Sequence, residues 1–318
     1  MSLTSILAKG TERTEELKNI LRNTCPSKKE FLTISGNKPF SSEYIEKVPY
    51  TLENSYYSSV IGTAFDYLSR AALAKYTTNN KQNAVKNLIC ERGLDALCKS
   101  TKKTIFNNPE RELRKKYDNS FKSYSNYIFE KGYITENLIE GVCYFARLEH
   151  IVRSGMLPEM LGEGFLAGEH DEIKKELKNL IDVFHNNFIK KVVKKGSDVT
   201  YNPVFGFCAA NVGGADADIF IDGFLIDIKT SKNRGYKWQD SAQIWGYYIL
   251  HRICQNNQDP YGSLINKKIR KLGFYKARYG EIEYVDLKQV EEEKIEESIK
   301  KVQNYFDNMK NHSQEIEK

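Results

Sequence analysis

Several absences narrow the possibilities first. No run of about 18 or more apolar residues occurs, so no membrane-spanning helix and no membrane partner are expected. The six cysteines, Cys25, Cys90, Cys98, Cys143, Cys208 and Cys254, contain no Cys-x-x-Cys pair. Zinc and disulfide frameworks are therefore unsupported, and buried reduced thiols are expected. The five histidines, His150, His170, His185, His251 and His312, show no metal-binding spacing. Gly213-Gly214 is followed by no Gly-Lys-Ser/Thr, so it is not a phosphate loop; it reads instead as a place where backbone approaches closely. No helicase or ATPase motif is present, so any motor or recombination partner would be a separate chain. The N-terminus lacks the basic start and apolar core of a signal peptide, and a cytoplasmic location is the expectation. No internal repeat or low-complexity linker interrupts the chain.

The composition is that of a folded globular protein. Of 318 residues, 40% are hydrophobic and 28% charged, enough to bury a substantial core. The net charge of +6 fits a nucleic-acid partner without requiring one. Lys190, Lys191, Lys194 and Lys195 form one basic cluster, and Lys267, Lys268, Arg270 and Lys271 another. Each reads as a solvated face or as a phosphate contact.

Periodicity divides the chain into a helical half and a compact half of mixed type. Helical spacing covers residues 1–24, 56–77, 81–99, about 109–131, 135–153 and 171–193, with loop expected over 27–54. Strands are expected at about 200–208, 215–221 and 224–230, a helix at about 238–254, strands at 272–278 and 282–287, and a charged helix at 288–311 with a frayed tail. The expected fold class is α/β (α+β): a central mixed sheet flanked by helices, with a large N-terminal helical portion.

The richest segment runs from Gly213 to Thr230. Asp222-Gly223 is a two-residue type I′ hairpin signal between two apolar runs. Counting outward from it, Ile221 faces Phe224, Phe220 faces Leu225, Ile219 faces Ile226 and Asp218 faces Asp227. Side chains two apart share a face, so Asp216, Asp218, Asp227 and Lys229 point to one side. A solvent-facing hairpin would tolerate such a patch. The flanking apolar residues instead suggest a sheet covered on both sides, where buried acids call for a cation such as Mg²⁺ or Mn²⁺ held by oxygen ligands. Gln243 and Tyr247 lie one turn apart on the following helix and share a face.

Asp218 with Asp227-Ile228-Lys229 resembles the core of the PD-(D/E)xK nuclease superfamily. Lys229-Thr230 and Gln243-x-x-x-Tyr247 resemble its RecB-like branch. Gly62-Thr63-Ala64-Phe65-Asp66 resembles the helix start that carries a His in that branch, with Asp66 in the His position. Ala217, where the family pattern has Pro, is a second departure. The resemblance covers about residues 200–250. It implies a restriction-endonuclease-like fold and Mg²⁺-dependent hydrolysis of phosphodiester bonds in DNA, single-stranded DNA included, with exonuclease-like action. By that resemblance the nuclease domain spans 56–318, after an N-terminal helix and loop at 1–55. Its core covers about 198–290, with a helical insertion at about 80–195.

It also implies roles. Asp218, Asp227 and the Ile228 carbonyl would hold metal, with Asp216 as the rival to Asp218. Lys229 would orient water or stabilise negative charge. Gln243 would bond an active-site group or phosphate, and Tyr247 would contact the substrate strand. Asp66 is either a further oxygen ligand or a first-turn acid favoured by its helix dipole. Arg70 and Lys232 are candidate phosphate contacts. Glu149 is a further helix-borne acid, more simply read as solvated. The four-cysteine iron–sulfur cluster of some RecB-like nucleases is not expected, because only Cys254 follows the core. The competing functional class is a nuclease fold that has lost cleavage and holds nucleic acid, or a structural protein of a phage or mobile element.

Overall fold

A computed structural model describes residues 2–50, 55–100, 109–130, 132–155 and 163–316. In chain order the elements are α1 (Leu3–Ala8), α2 (Glu15–Thr24), β1 (Leu32–Thr33), α3 (Ser55–Tyr76), α4 (Ile89–Ser100), α5 (Pro109–Phe129), α6 (Glu136–Ser154), α7 (Glu163–Leu166) and α8 (Asp171–Phe184). A π turn at His185–Ile189 leads into α9 (Lys190–Val192). Then come β2 (Val199–Tyr201), α10 (Gly206–Asn211), β3 (Ile219–Ile221), β4 (Phe224–Lys229), α11 (Trp238–Asn256), β5 (Lys271–Lys276), β6 (Glu281–Asp286) and α12 (Glu292–Ile316).

The six strands form one mixed sheet in the order β1-β6-β5-β4-β3-β2, with helices on both faces. Only β4 and β5 run parallel. Parallel neighbours need a crossover, and α11 supplies it. The hairpin has the register counted from its turn: Ile219 opposite Ile226, Phe220 opposite Leu225, Ile221 opposite Phe224. Asp222 (φ 48°) and Gly223 (φ 93°) take the left-handed conformations a type I′ turn requires. On β4, Ile226 and Ile228 join the core under α3, α4, α5, α6 and α8, while Leu225 joins the core under α1, α2, α11 and α12. The two-residue period therefore sends Asp227 and Lys229 to the α11 face.

Several boundaries differ from expectation. Residues 27–54 read as loop, yet Leu32–Thr33 pairs with β6 as an edge strand. The expected strand at 200–208 stops at Tyr201. Asn202 is left-handed (φ 44°), and Pro203 cannot donate to a ladder. Its second half is helix α10, which Gly206 enters at φ 56°. Strand β3 starts at Ile219 rather than 215; Asp216 makes only an isolated bridge to Val204. In the N-terminal segment, α1 and α2 pack on α11 and α12 and contribute to the core. Gly214 meets no crowding, so its positive φ of 120°, not close approach, is what requires glycine there. The C-terminal helix runs to Ile316 where a frayed tail was expected after 311. Residue 1, residues 51–54 of the expected loop, residue 131 of an expected helix end and residues 317 and 318 of the expected tail lie outside the described residues.

A buried ion pair ties the helical layer to the sheet. Arg278, 1% exposed, pairs with Glu176 of α8 and donates to the carbonyls of Thr230, Val48 and Pro49. A second buried cation, Lys276, donates to the carbonyls of Asn233, Arg234 and Gly235 and faces Glu283 at 3.5 Å. It fixes the loop that carries the chain from β4 to α11.

Candidate active site

A cavity of about 280 Å³ opens at the end of the sheet where β4 leaves and β3 begins. Asp66, Asp216, Asp218 and Asp227 line it together with Gln243 and Tyr247. Asp227 is 5% exposed. Asp218 faces it from the residue before β3, and its Oδ2 accepts the Ile228 N–H at 2.5 Å, where the β3–β4 ladder has ended. Backbone geometry sends the Ile228 carbonyl out along the same strand edge. The Ile228 side chain itself packs in the helical core.

Asp66 arrives from the opposite layer. Gly62 permits this: a Cβ there would lie 3.3 Å from Thr230 Oγ1, so α3 crosses close to the end of β4. One turn later Asp66 reaches the cavity. It stands eleven residues into α3, which excludes the first-turn acid reading. Its carboxyl accepts no hydrogen bond among the described residues.

Lys229 Nζ lies 2.8 Å from Asp227 Oδ2 and 3.3 Å from Asp240 Oδ1, and donates to Gln243 Oε1 at 3.1 Å. Gln243 Nε2 in turn faces Asp227 Oδ1 at 3.2 Å, Tyr247 Oη at 2.7 Å and Thr4 Oγ1 at 3.2 Å. The glutamine thus links the lysine, the aspartate and the tyrosine. Thr4 and Ser2 bring α1 into the cavity wall. Nothing in the sequence pattern of residues 1–24 marks that role.

The electrostatics follow from crowding. Burial first, and then Asp218 and Glu149, push the Asp66 carboxyl well above the usual carboxylate range. Burial and then Asp227 do the same to Asp218. Asp227 is also raised by burial, against the pull of Lys229. Burial acts to deprotonate Lys229, but Asp227 and Asp240 more than offset it and hold the ammonium charged. Among the described residues, no three carboxyl, thiol or imidazole side chains close on one point at coordinating distance. The Ile228 amide occupies one Asp218 oxygen, and the ammonium occupies one Asp227 oxygen. Ligation of a cation requires these side chains to reorient. The donor set itself, four carboxylates in one small cavity, suits Mg²⁺ or Mn²⁺.

Other expected contacts lie elsewhere. Arg70 is 9% exposed and does not line this cavity; it donates to Asn202 Oδ1 and to the carbonyls of Asn83 and Lys86, a clamp on structure rather than a free phosphate contact. Lys232 is exposed, sits over the Tyr50 ring at 5.5 Å and lies outside the cavity lining. Tyr247 is 2% exposed, with its ring stacked on Phe205 at 5.4 Å, so only its hydroxyl is available. Lys267 pairs with Asp198, and Lys271 pairs in register with Phe224 at the opposite end of β4. That cluster and Lys190–Lys195 are absent from the cavity lining.

One contributor, Arg153, is absent from the expected set, and another, Glu149, is placed differently from expectation. Glu149, expected to be solvated, is 4% exposed and accepts from Tyr67 Oη and Arg153 Nε, each at 2.6 Å. Arg153 also faces Asp216 at 3.7 Å and lines the cavity. The four-residue Glu149–Arg153 spacing was the available signal. Comparison with known proteins finds no matching family model, curated protein or solved structure.

Proposed function

We propose that this chain is a Mg²⁺-dependent deoxyribonuclease of RecB-like PD-(D/E)xK type, with its mixed sheet as a restriction-endonuclease-like core. The observation that carries the proposal is the convergence of Asp66, Asp216, Asp218 and Asp227 on one cavity, with Lys229 charged beside Asp227 and bonded to Gln243. Acids that repel one another in a cavity where Asp227 is buried and the other three are partly buried are costly unless a cation is bound. Asp218 and Asp227 would hold the ion, with Asp66 and Asp216 adding oxygen ligands. The ion, when bound, supplies a water of lowered pKa and shields phosphate charge.

The chain's own groups do the rest. Lys229 is protonated and so acts on developing negative charge rather than as a base. Gln243 fixes the ammonium's direction. The Tyr247 hydroxyl accepts from Gln243 Nε2 at the cavity wall while its ring stacks on Phe205. Labelled single- and double-stranded DNA incubated with the protein in Mg²⁺, Mn²⁺ or EDTA tests the proposal. Cleavage that needs the metal and is lost in Asp227→Asn supports it; no cleavage by wild type, or cleavage surviving in the variant, refutes it.

A further inference from the structure

A second concavity, about 640 Å³, adjoins the carboxylate cavity and shares Arg153, Gly214 and Asp216 with it. Its charge is the reverse. Lys86 and Arg92 line it, are exposed, and make no side-chain hydrogen bond or ion pair among the described residues. Arg153, about half exposed, stands at the junction. Asp216 is the lone acid of the lining.

Two of the segments that line it also carry exposed aromatics just outside the lining. Phe207 is 63% exposed and Tyr261 65%, with ring centroids 4.8 Å apart at 69°. Val204, 43% exposed, lines the groove itself. Phe207 lies one turn before Ala210, another lining residue. Tyr261 lies two residues before Ser263, which also lines the groove and bonds Val204 in both directions. The pair is built rather than incidental. Both Phe207 N–H (2.5 Å) and Tyr261 N–H (2.9 Å) donate to the Asp259 carboxylate. A Cβ on Gly206 would lie 2.1 Å from that carboxylate, so glycine is what lets it dock. Exposed rings on backbone fixed in this way, on segments that continue into a groove lined by Lys86 and Arg92, suit a ligand with both flat faces and phosphates.

We infer that this groove binds single-stranded DNA, stacking bases on Phe207 and Tyr261 and leading the backbone past Lys86, Arg92 and Arg153 to the carboxylate cavity. A duplex keeps its base faces stacked inside, so only a single strand can use the aromatic pair. The inference rests on the nuclease reading of the adjoining cavity for its direction, but it is tested by binding alone.

The probe is fluorescein-labelled oligo(dT) of about 15 nucleotides, within the usual footprint for such grooves. Anisotropy is read in EDTA at several salt concentrations, beside a blunt duplex of equal length. The single strand should bind more tightly than the duplex. Phe207→Ala and Tyr261→Ala should each weaken it by roughly 5- to 150-fold with little change in salt dependence. Lys86→Gln and Arg92→Gln should each flatten the slope of log affinity on log salt by about 0.7. All four side chains are exposed, so the variants keep the fold, which thermal melts verify. Wild-type affinity in both aromatic variants, or preference for the duplex, overturns the inference. Cleavage in Mg²⁺ separates the two readings. A protein that cuts but binds independently of these residues loses the groove and keeps the nuclease. One that binds through them but never cuts loses the nuclease and keeps the groove.

Discussion

Replacing Asp66 by Asn should stabilise the metal-free protein at neutral and alkaline pH, an unusual outcome for a change in a candidate active-site cavity. The substitution keeps the side chain's volume and removes no hydrogen bond, since the carboxyl accepts none among the described residues. What it removes is charge. Burial, Asp218, Glu149 and Asp227 all disfavour the ionised form, and Arg153 alone opposes them. The folded pKa is therefore raised above the ordinary 3.8, so the folded state holds its proton longer than the unfolded chain. Stability then falls as pH climbs from about 4 through the raised folded pKa, by at most about 1.4 kcal/mol per pH unit for this group. Removing one charge from a cluster of like charges at an effective dielectric near 20 releases on the order of 1–3 kcal/mol. At roughly 2 °C per kcal/mol for a chain of this size, melting in EDTA at pH 8 should rise by about 2–6 °C. At pH 4 the difference should shrink toward zero. Saturating Mg²⁺ should reverse the order, because wild type gains about 2.7 kcal/mol at a hundredfold excess over Kd and the variant gains less. An Asn variant less stable than wild type at pH 8 in EDTA, or an equal shift at both pH values, would refute the electrostatic account.

Other expectations are separable from this one. Lys229→Ala should lower kcat by about 10²–10³-fold while the Mg²⁺-induced thermal shift persists, because the ammonium acts on transition-state charge; cleavage at the wild-type rate would remove Lys229 from the mechanism. Arg278→Met removes the guanidinium paired with the buried Glu176 and should cost about 3–5 kcal/mol in urea unfolding, with Glu176→Leu added in the same chain recovering much of it; a loss below about 1 kcal/mol would show the pair to be dispensable. His251 is 2% exposed, and burial lowers its pKa to about 4, with Nε2 set 3.2 Å from the Lys267 carbonyl. The unfolded imidazole takes a proton first as pH falls, so stability should drop by up to about 3 kcal/mol between pH 6.5 and 4, and His251→Gln should flatten that limb of the pH–stability curve.

Local pattern determined the hairpin. Asp222-Gly223 and the alternation on either side fix its register within a dozen residues, because a one-residue slip would put Asp218 and Asp227 on opposite faces of the sheet. The long amphipathic helices were legible for a similar reason: each is written in its own sequence period. The sequence also placed Gln243 and Tyr247 on one helical face, which depends only on their spacing. What sits on the other side of the cavity could not be read this way. Asp66 meets Asp218 because Gly62 lets α3 approach Thr230, across well over a hundred residues of chain. Thr4 enters because α1 packs on α11, and Glu149 is buried because Tyr67 and Arg153 close over it. Packing also decided that the Tyr247 ring stacks on Phe205, leaving its hydroxyl at the cavity, and that Arg70 is held by Asn202 and two carbonyls. The exposed pair Phe207 and Tyr261 is likewise tertiary, joined through Asp259 from segments over fifty residues apart. Spacing along the chain encodes which side chains share a face of one element. Which faces meet is decided by packing between elements, and that depends on glycines, buried ion pairs and core shape that no short window of sequence contains.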